Sequence, residues 1–248
     1  MASKSETGHA KNVANFDELI SFVTGYGAAY NPSNAAIKLA ALKTAVTNAK
    51  NAINVVDGMV PAYKNAVAER KVAFEPLSKL ITRVLNAVIA IDTAPQVVEN
   101  VRFFTRKIQG KRAVAKKTDE ELQILAMQGK ETRNISVSQM SYDSRLDNLN
   151  KLIKFLATIP QYKPNEADLK LASLTSLCNT LQIKNAAVLN TRILLSNARI
   201  ARNNTLYHKT TGLVSTANET KAYAKSLFGV TTPQYRQISK LQFRAYRM

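Results

Sequence analysis

Few residues in this sequence are of the types that catalyse reactions or bind metals. Its 248 residues include two histidines, one cysteine and 17 acidic residues. His9 and His208 have no second ligand at the spacing of a metal site, so we expect both on the solvated surface. Cys178 lies at an apolar helix position and is expected to be buried, because a nucleophilic thiol needs an exposed site near a base. These observations predict no enzyme, no metal site and no cofactor.

Two further motifs have structural explanations that we prefer to catalytic ones. The acidic run Asp119-Glu-Glu121 follows Thr118, and this order is typical of a capped helix start over 118–127 rather than of an acid/base pair. The segment Gly25-Tyr-Gly27 lacks the third glycine and the preceding strand of a dinucleotide-binding fingerprint. Neither motif therefore predicts a substrate site.

The basic residues are the one chemical feature that exceeds the background. The chain has 35 Lys and Arg and a formal charge of +18. One group lies in the middle of the chain without any acid among its members, and a second lies at its end with spacings i, i+4, i+8 and i+11. These candidate contacts for a polyanion or a protein partner are Arg102, Arg106, Lys107, Lys111, Arg112, Lys116 and Lys117, then Arg236, Lys240, Arg244 and Arg247.

A stripe of one charge sign on a helix suits a limited set of partners. Phosphate backbones, acidic protein surfaces and acidic neighbouring subunits all match it. The alternative is a solvated basic surface without a partner. Because no established nucleic-acid motif is present, binding to nucleic acid is expected to depend little on base sequence.

The elements that position these residues follow from an internal repeat. Tyr30-Asn-Pro-Ser-Asn-Ala-Ala-Ile-Lys-Leu-Ala-Ala-Leu42 matches Tyr162-Lys-Pro-Asn-Glu-Ala-Asp-Leu-Lys-Leu-Ala-Ser-Leu174 at an offset of 132. Near the end of each repeat, Pro95-Gln96 matches Pro233-Gln234, which pairs Arg102 and Arg106 with Lys240 and Arg244. We infer a duplication of one helical module.

Each repeat is predicted to contain the same series of helices. A short helix precedes the Tyr-x-Pro turn, a long helix follows it, and two shorter helices end the repeat. The predicted ranges are 14–29, 34–74, 76–91 and 96–109 in the first repeat, and 140–158, 165–207, 213–228 and 233–246 in the second. No segment alternates with period two for long enough to predict a sheet, so the fold is expected to be all-α, with long antiparallel helices in a bundle or in coiled-coil hairpins.

The long helix of the first repeat carries a heptad pattern. Its apolar residues recur at alternating intervals of three and four, which predicts a buried seam. Pro61 lies inside this helix and is expected to kink or split it near Gly58. The seam positions are Leu39, Leu42, Val46, Ala49, Ile53, Val56, Val60, Tyr63 and Val67.

The repeat also sets the predicted domain organisation. Residues 1–13 form a polar N-terminal tail, 14–109 the first helical repeat, 110–138 a basic and polar connector, and 139–248 the second repeat. No stretch reaches the roughly 20 apolar residues of a membrane span, and residues 1–12 lack the apolar core of a secretory signal. We therefore expect a cytoplasmic protein, with leaderless export as the alternative.

Five phrases are spread over more than half of the chain: Lys107-Ile-Gln-Gly-Lys-Arg112, Ile135-Ser-Val-Ser-Gln139, Ser141-Tyr-Asp143, Ser196-Asn-Ala-Arg-Ile-Ala-Arg-Asn203 and Pro233-Gln-Tyr-Arg-Gln237. Together they resemble an uncharacterised family of bacterial all-helical proteins without assigned activity. Such a resemblance implies the helical fold and assigns no residue a function.

Taken with the charge, these features predict a non-enzymatic structural or interaction protein. It is expected to self-associate or to dock onto a larger assembly through helix faces and basic stripes. Apolar positions outside the seam, such as Ile37, Leu177 and Ile183, are candidates for such contacts. The alternative function is that of a non-specific nucleic-acid (polyanion) binding protein.

Overall fold

The structure is all-α, as the sequence predicts. The computed structural model describes residues 8–111, 118–128 and 140–245, except for the side chains of Asp119 and Leu122, and this part of the chain contains no β-strand. The α-helices are α1 (His9–Gly25), α2 (Leu39–Phe74), α3 (Leu77–Ile89), α4 (Pro95–Gln109), α5 (Asp119–Met127), α6 (Tyr142–Leu156), α7 (Leu171–Tyr207), α8 (Leu213–Phe228) and α9 (Pro233–Ser239).

The order of elements is the same in both sequence repeats. Helices α1 to α4 correspond in order to α6 to α9, and a 3₁₀ turn precedes each long helix, at Ala35–Ile37 and at Ala167–Leu169. The two Tyr-x-Pro motifs also make the same contact. The Tyr30 hydroxyl donates a hydrogen bond to the Ile37 carbonyl at 2.7 Å, and the Tyr162 hydroxyl donates one to the Leu169 carbonyl at 2.8 Å. Both tyrosines therefore fix the turn that leads into a long helix.

The chain folds into two compact units that do not coincide with the sequence repeats. Unit 1 combines residues up to Lys64 with residues from Asn190 onward, and unit 2 is Asn65–Leu189. Unit 1 thus contains the first helix of repeat one and the closing helices of repeat two, α8 and α9. Unit 2 contains α3 and α4 from repeat one together with α6 from repeat two. Each unit is therefore built from segments of both repeats.

Each unit has its own apolar core. In unit 1, Phe16 and Leu19 of α1 are fully buried with Leu42 of α2 and Leu206 of α7. In unit 2, α4 packs between α3 and α6. The fully buried side chains there include Leu77, Ile81, Ile108, Leu149, Leu152, Leu156, Leu174 and Leu181.

The predicted seam residues of α2 are all buried or half-buried, so the heptad pattern identified the inner face of this helix. Helix α2 continues through Pro61 without interruption, so of the two expected alternatives near Gly58, a kink or a split, the split is wrong. Proline removes one backbone donor from a ladder of many. The seam residues before and after Pro61 are buried or half-buried, and this burial offsets the missing backbone hydrogen bond.

The polar tail expected at 1–13 is partly helical. Helix α1 begins at His9, and Asn12 and Val13 are buried in it. The short helix expected in the connector is present as α5. Its Thr118 side chain accepts a hydrogen bond from the Glu121 amide while the Glu121 carboxylate accepts one from the Thr118 amide, which is a capping box.

The helix expected over 233–246 is wrong for residues 240–245, the described residues that follow Ser239. Helix α9 ends there, and side chains from distant parts of the chain form hydrogen bonds with the backbone of the following residues. Asn12 donates to the Arg244 carbonyl at 2.8 Å and accepts from the Arg244 amide at 3.1 Å, and Lys221 donates to the Leu241 carbonyl at 2.8 Å. A backbone satisfied in this way gains little from continuing a helix.

Candidate interaction surfaces

The C-terminal basic residues do not form the helical stripe that their spacing indicated. Arg102, Arg106 and Lys107 lie on α4, and Lys111 follows its end, whereas Arg236 lies on α9. Lys240 and Arg244 come after the last helical residue of α9, so the C-terminal stripe is interrupted. The first group belongs to unit 2 and the second to unit 1. The remaining predicted residues, Arg112, Lys116, Lys117 and Arg247, lie outside the described residues.

The basic group at the end of α4 is held by local geometry. Gly110 adopts a φ of 69°, and the Lys111 amide donates to the Arg106 carbonyl at 2.9 Å, which closes the helix in a Schellman arrangement. Arg102 pairs with Glu99, and Lys107 lies 5.6 Å from the centre of the Phe103 ring. None of the other three basic residues, Arg106, Lys107 and Lys111, forms an ion pair with a described residue. Their charges also complement the negative end of the helix dipole.

Helix α7 carries a second feature that the sequence analysis did not identify. Its 37 residues include four basic residues and no acidic one, and five large apolar side chains on it are exposed. They are Ile183 (67% exposed), Leu189 (56%), Ile193 (48%), Leu194 (54%) and Ile200 (57%). By contrast, Ile37 is buried and Leu177 is half-buried against the core of unit 2, so of the three expected apolar contacts only Ile183 is exposed.

These exposed side chains share one face. The positions that define it recur at intervals of three and four and are all exposed: Ile183, Ala186, Asn190, Ile193, Asn197, Ile200 and Asn204. Leu189 and Leu194 flank them. Val188 and Leu195, seven residues apart, are buried on the opposite side of the helix. We call this exposed surface the α7 face. Among the described residues, helix α7 therefore has two heptad faces, of which one is buried and the other exposed.

The corresponding face of α2 differs in composition. At the offset of 132, Pro61 and Ala68 of α2 occupy the positions of Ile193 and Ile200, and Gly58 occupies that of Asn190. The apolar character of the α7 face is thus a property of the second repeat alone. A packing requirement common to both repeats does not account for it.

An open cleft of about 490 Å³ lies in unit 1, and His9 lies on its lining together with Lys11, Asp57 and Arg202. The His9 imidazole is half-buried, and its Nδ1 atom is 2.7 Å from the Tyr207 hydroxyl. Burial, and then the charge of Arg202, lower the pKa of His9. The expectation of a solvated histidine is therefore wrong for His9, because α1 begins at this residue and packs its first turn against the end of α7.

The sequence repeat pairs Arg202, which lines this cleft, with a residue that packs within unit 2. Arg70 is the counterpart of Arg202, and its guanidinium carbon lies 3.9 Å from the centre of the Tyr142 ring. Arg70 also donates to the Asn185 side chain at 2.9 Å. Because unit 2 uses the position of Arg202 for packing, we assign Arg202 the same structural role.

Cys178 and His208 lie where the sequence analysis expects them. Cys178 is buried, and burial raises the pKa of its thiol. His208 is exposed at the end of α7 and accepts a hydrogen bond from the Thr211 amide. Within the described ranges, no three His, Cys, Asp or Glu side chains are grouped as a metal site would require. None of the described helices is both long and apolar enough to cross a bilayer.

The fold and these surfaces define a class: an all-helical protein of two compact units, with an exposed apolar face on one long helix and basic groups in both units. The chain matches no model of a protein family, no curated protein and no solved structure.

Proposed function

We propose that this protein is a non-enzymatic structural or interaction protein that self-associates or docks onto a larger assembly through helix faces. The observation that carries the proposal is the α7 face, where all five exposed large apolar residues of α7 lie together. Contiguous exposed apolar surface on a protein marks a contact site more often than chance. The coiled-coil character and the self-assembly of the protein are parts of this proposal.

The first prediction tests the α7 face directly. Replacing Ile193 and Ile200 with glutamate should weaken association, because about half of each side chain is left to be buried by a partner. Each isoleucine occurs twice in a dimer. The double variant should therefore lose about 3 kcal/mol or more of the free energy of association, which raises the dissociation constant at least about a hundredfold. Light scattering over a dilution series measures this change.

The matched control is the double variant Val55→Glu and Val72→Glu. These valines are 51% and 66% exposed on α2, so the change in charge and exposure is similar. Circular dichroism should show equal helicity for both double variants. A wild-type protein that stays monomeric at high concentration would contradict self-association, and equal weakening by the control would exclude the α7 face as the contact.

The second candidate function is non-specific binding of a polyanion. The observation that favours it is the group at the end of α4, where Arg106, Lys107 and Lys111 lie close in sequence and have no ion-pair partner among the described residues. Such a group can neutralise phosphates without reading bases. This function is compatible with self-association, since the basic group lies on a different helix from the α7 face.

The second prediction separates this function from a merely solvated basic surface. If the group binds duplex DNA, log K should fall with log salt at a slope of about −0.9 per phosphate neutralised. Reversing Arg106, Lys107 and Lys111 to glutamate should then reduce both affinity and slope. Reversal of the exposed residues Lys43, Lys64 and Lys71 on α2 changes the net charge equally and should have a smaller effect. Absence of wild-type retention on DNA or heparin at low salt would remove this candidate.

Two further attributions are also proposals. We propose a cytoplasmic location, which agrees with the unpaired, buried state of Cys178. We also propose that the chain belongs to the uncharacterised family of bacterial all-helical proteins, on the basis of the phrases quoted above. This membership assigns no residue a function.

A further inference from the structure

We infer that the partner of the α7 face is α7 of a second copy of this chain, aligned parallel and in register as a two-stranded coiled coil. This inference rests on the proposed self-association and adds to it the identity, direction and register of the contact. Three observations carry it: the periodicity of the face, its lack of charge, and the alternation of asparagine with isoleucine.

The periodicity matches a coiled-coil seam. The α7 face holds the intervals 3-4-3-4-3-4 from Ile183 to Asn204, which is three heptads. Two helices that repeat such a face every 3.5 residues on average can stay in contact along its length by supercoiling. The buried Val188 and Leu195 lie on the opposite side of α7, so the contacts that hold the helix in the fold do not compete with this seam.

The charge distribution favours a second copy over an acidic partner. The chain carries +18, yet no seam position is charged, and the positions that flank the seam are also uncharged: Gln182, Ala187, Leu189, Leu194, Ser196, Ala201 and Asn203. The basic residues of this stretch, such as Arg192 and Arg199, lie outside both sets. Two copies of a strongly basic protein can approach through an uncharged face with the least repulsion, whereas an acidic partner would find no cation there.

The asparagines determine direction and register. Asn190, Asn197 and Asn204 take one seam position in successive heptads, while Ile193 and Ile200 take the other. In a parallel, in-register pair each asparagine meets its own copy, and two amides can exchange donor and acceptor. In an antiparallel pair the asparagine layer would face the isoleucine layer and leave a buried amide without a partner. A buried asparagine at this position is a known determinant of register in two-stranded coiled coils.

The third prediction tests the register by disulfide crosslinking. The single native cysteine is first removed as Cys178→Ala, and Asn197→Cys is then introduced. In the parallel, in-register pair the two new cysteines face each other within disulfide distance, so mild oxidation should give a covalent dimer. The control is Arg192→Cys in the same background, because Arg192 is also exposed but lies outside the seam and should not crosslink.

The outcomes distinguish this inference from the function on which it rests. If light scattering shows a multimer but N197C does not crosslink, the parallel register is wrong and self-association stands. Crosslinking only between N197C and I193C in a mixture of the two variants would show an antiparallel pair and overturn the inference. A monomer at all concentrations would remove the proposed self-association itself. Circular dichroism of each variant confirms that it is folded.

Discussion

Replacing Leu42 with alanine is expected to lower the free energy of unfolding of unit 1 by about 2–5 kcal/mol. Leu42 is fully buried in the core of that unit, and removing its side chain leaves a cavity. Leu174 is its counterpart in the repeat and is fully buried in unit 2, so Leu174→Ala should have a similar effect there. Chemical denaturation of both variants measures the two losses.

Hydrogen exchange should show which helices each variant destabilises. In L42A the lost protection should appear in α1, in α8 and in the part of α7 from Asn190 onward, because these segments share a unit with Leu42. Helices α3 and α4 follow Leu42 in the same sequence repeat but should stay protected. L174A should give the reverse pattern, with losses in α3, α4 and α6. Loss of protection along the whole of 14–109 in L42A would contradict the observed division into units.

This division shows what a sequence pattern can and cannot predict. The heptad positions of α2, such as Leu42 and Val46, identified the side of the helix that is buried. They did not identify what covers that side, because an apolar face is satisfied by any complementary face. The covering elements here come from both ends of the chain, and local periodicity does not record a contact between distant segments.

The end of α9 was mispredicted for the same physical reason. Residues 240–246 carry charges and apolar groups at helical spacing, and nothing local indicates that the helix ends at Ser239. It ends because the following backbone is hydrogen-bonded by Asn12, Asn15 and Lys221 from other helices. The C-terminal basic stripe depended on that helix and was therefore the least predictable part of the candidate sites.

The α7 face, in contrast, has a local signal in the sequence, but the sequence alone does not assign that signal to an exposed surface. Asn190-Thr-Arg-Ile193 and Asn197-Ala-Arg-Ile200 repeat the same pattern seven residues apart. The signal is hidden because α7 carries a second heptad pattern through Leu181, Val188 and Leu195, which forms the inner face. Only the exposure of each residue shows that the Asn and Ile pattern belongs to another surface.

The stability of the protein is expected to fall steeply with pH between about 10 and 12. Burial raises the pKa of Tyr30 to about 12 and that of Tyr162 to about 12, while the unfolded chain has tyrosine pKa values near 10. Over this range the folded state keeps two protons that the unfolded state has released. Because the unfolded state then binds fewer protons, the free energy of unfolding falls as pH rises, by about 2–3 kcal/mol per tyrosine by pH 12. Below pH 10 these two residues contribute no pH dependence.

The variants Tyr30→Phe and Tyr162→Phe isolate this effect. Each should cost about 1–3 kcal/mol at neutral pH, because a buried carbonyl, of Ile37 or of Leu169, loses its donor. The informative quantity is the slope of unfolding free energy against pH above 10, measured by urea denaturation. Each single variant should remove about half of the slope that the two tyrosines contribute, and the double variant should remove all of it. Since all lysines are retained, a slope unchanged in the double variant would mean that these hydroxyls do not control the alkaline limit of the fold.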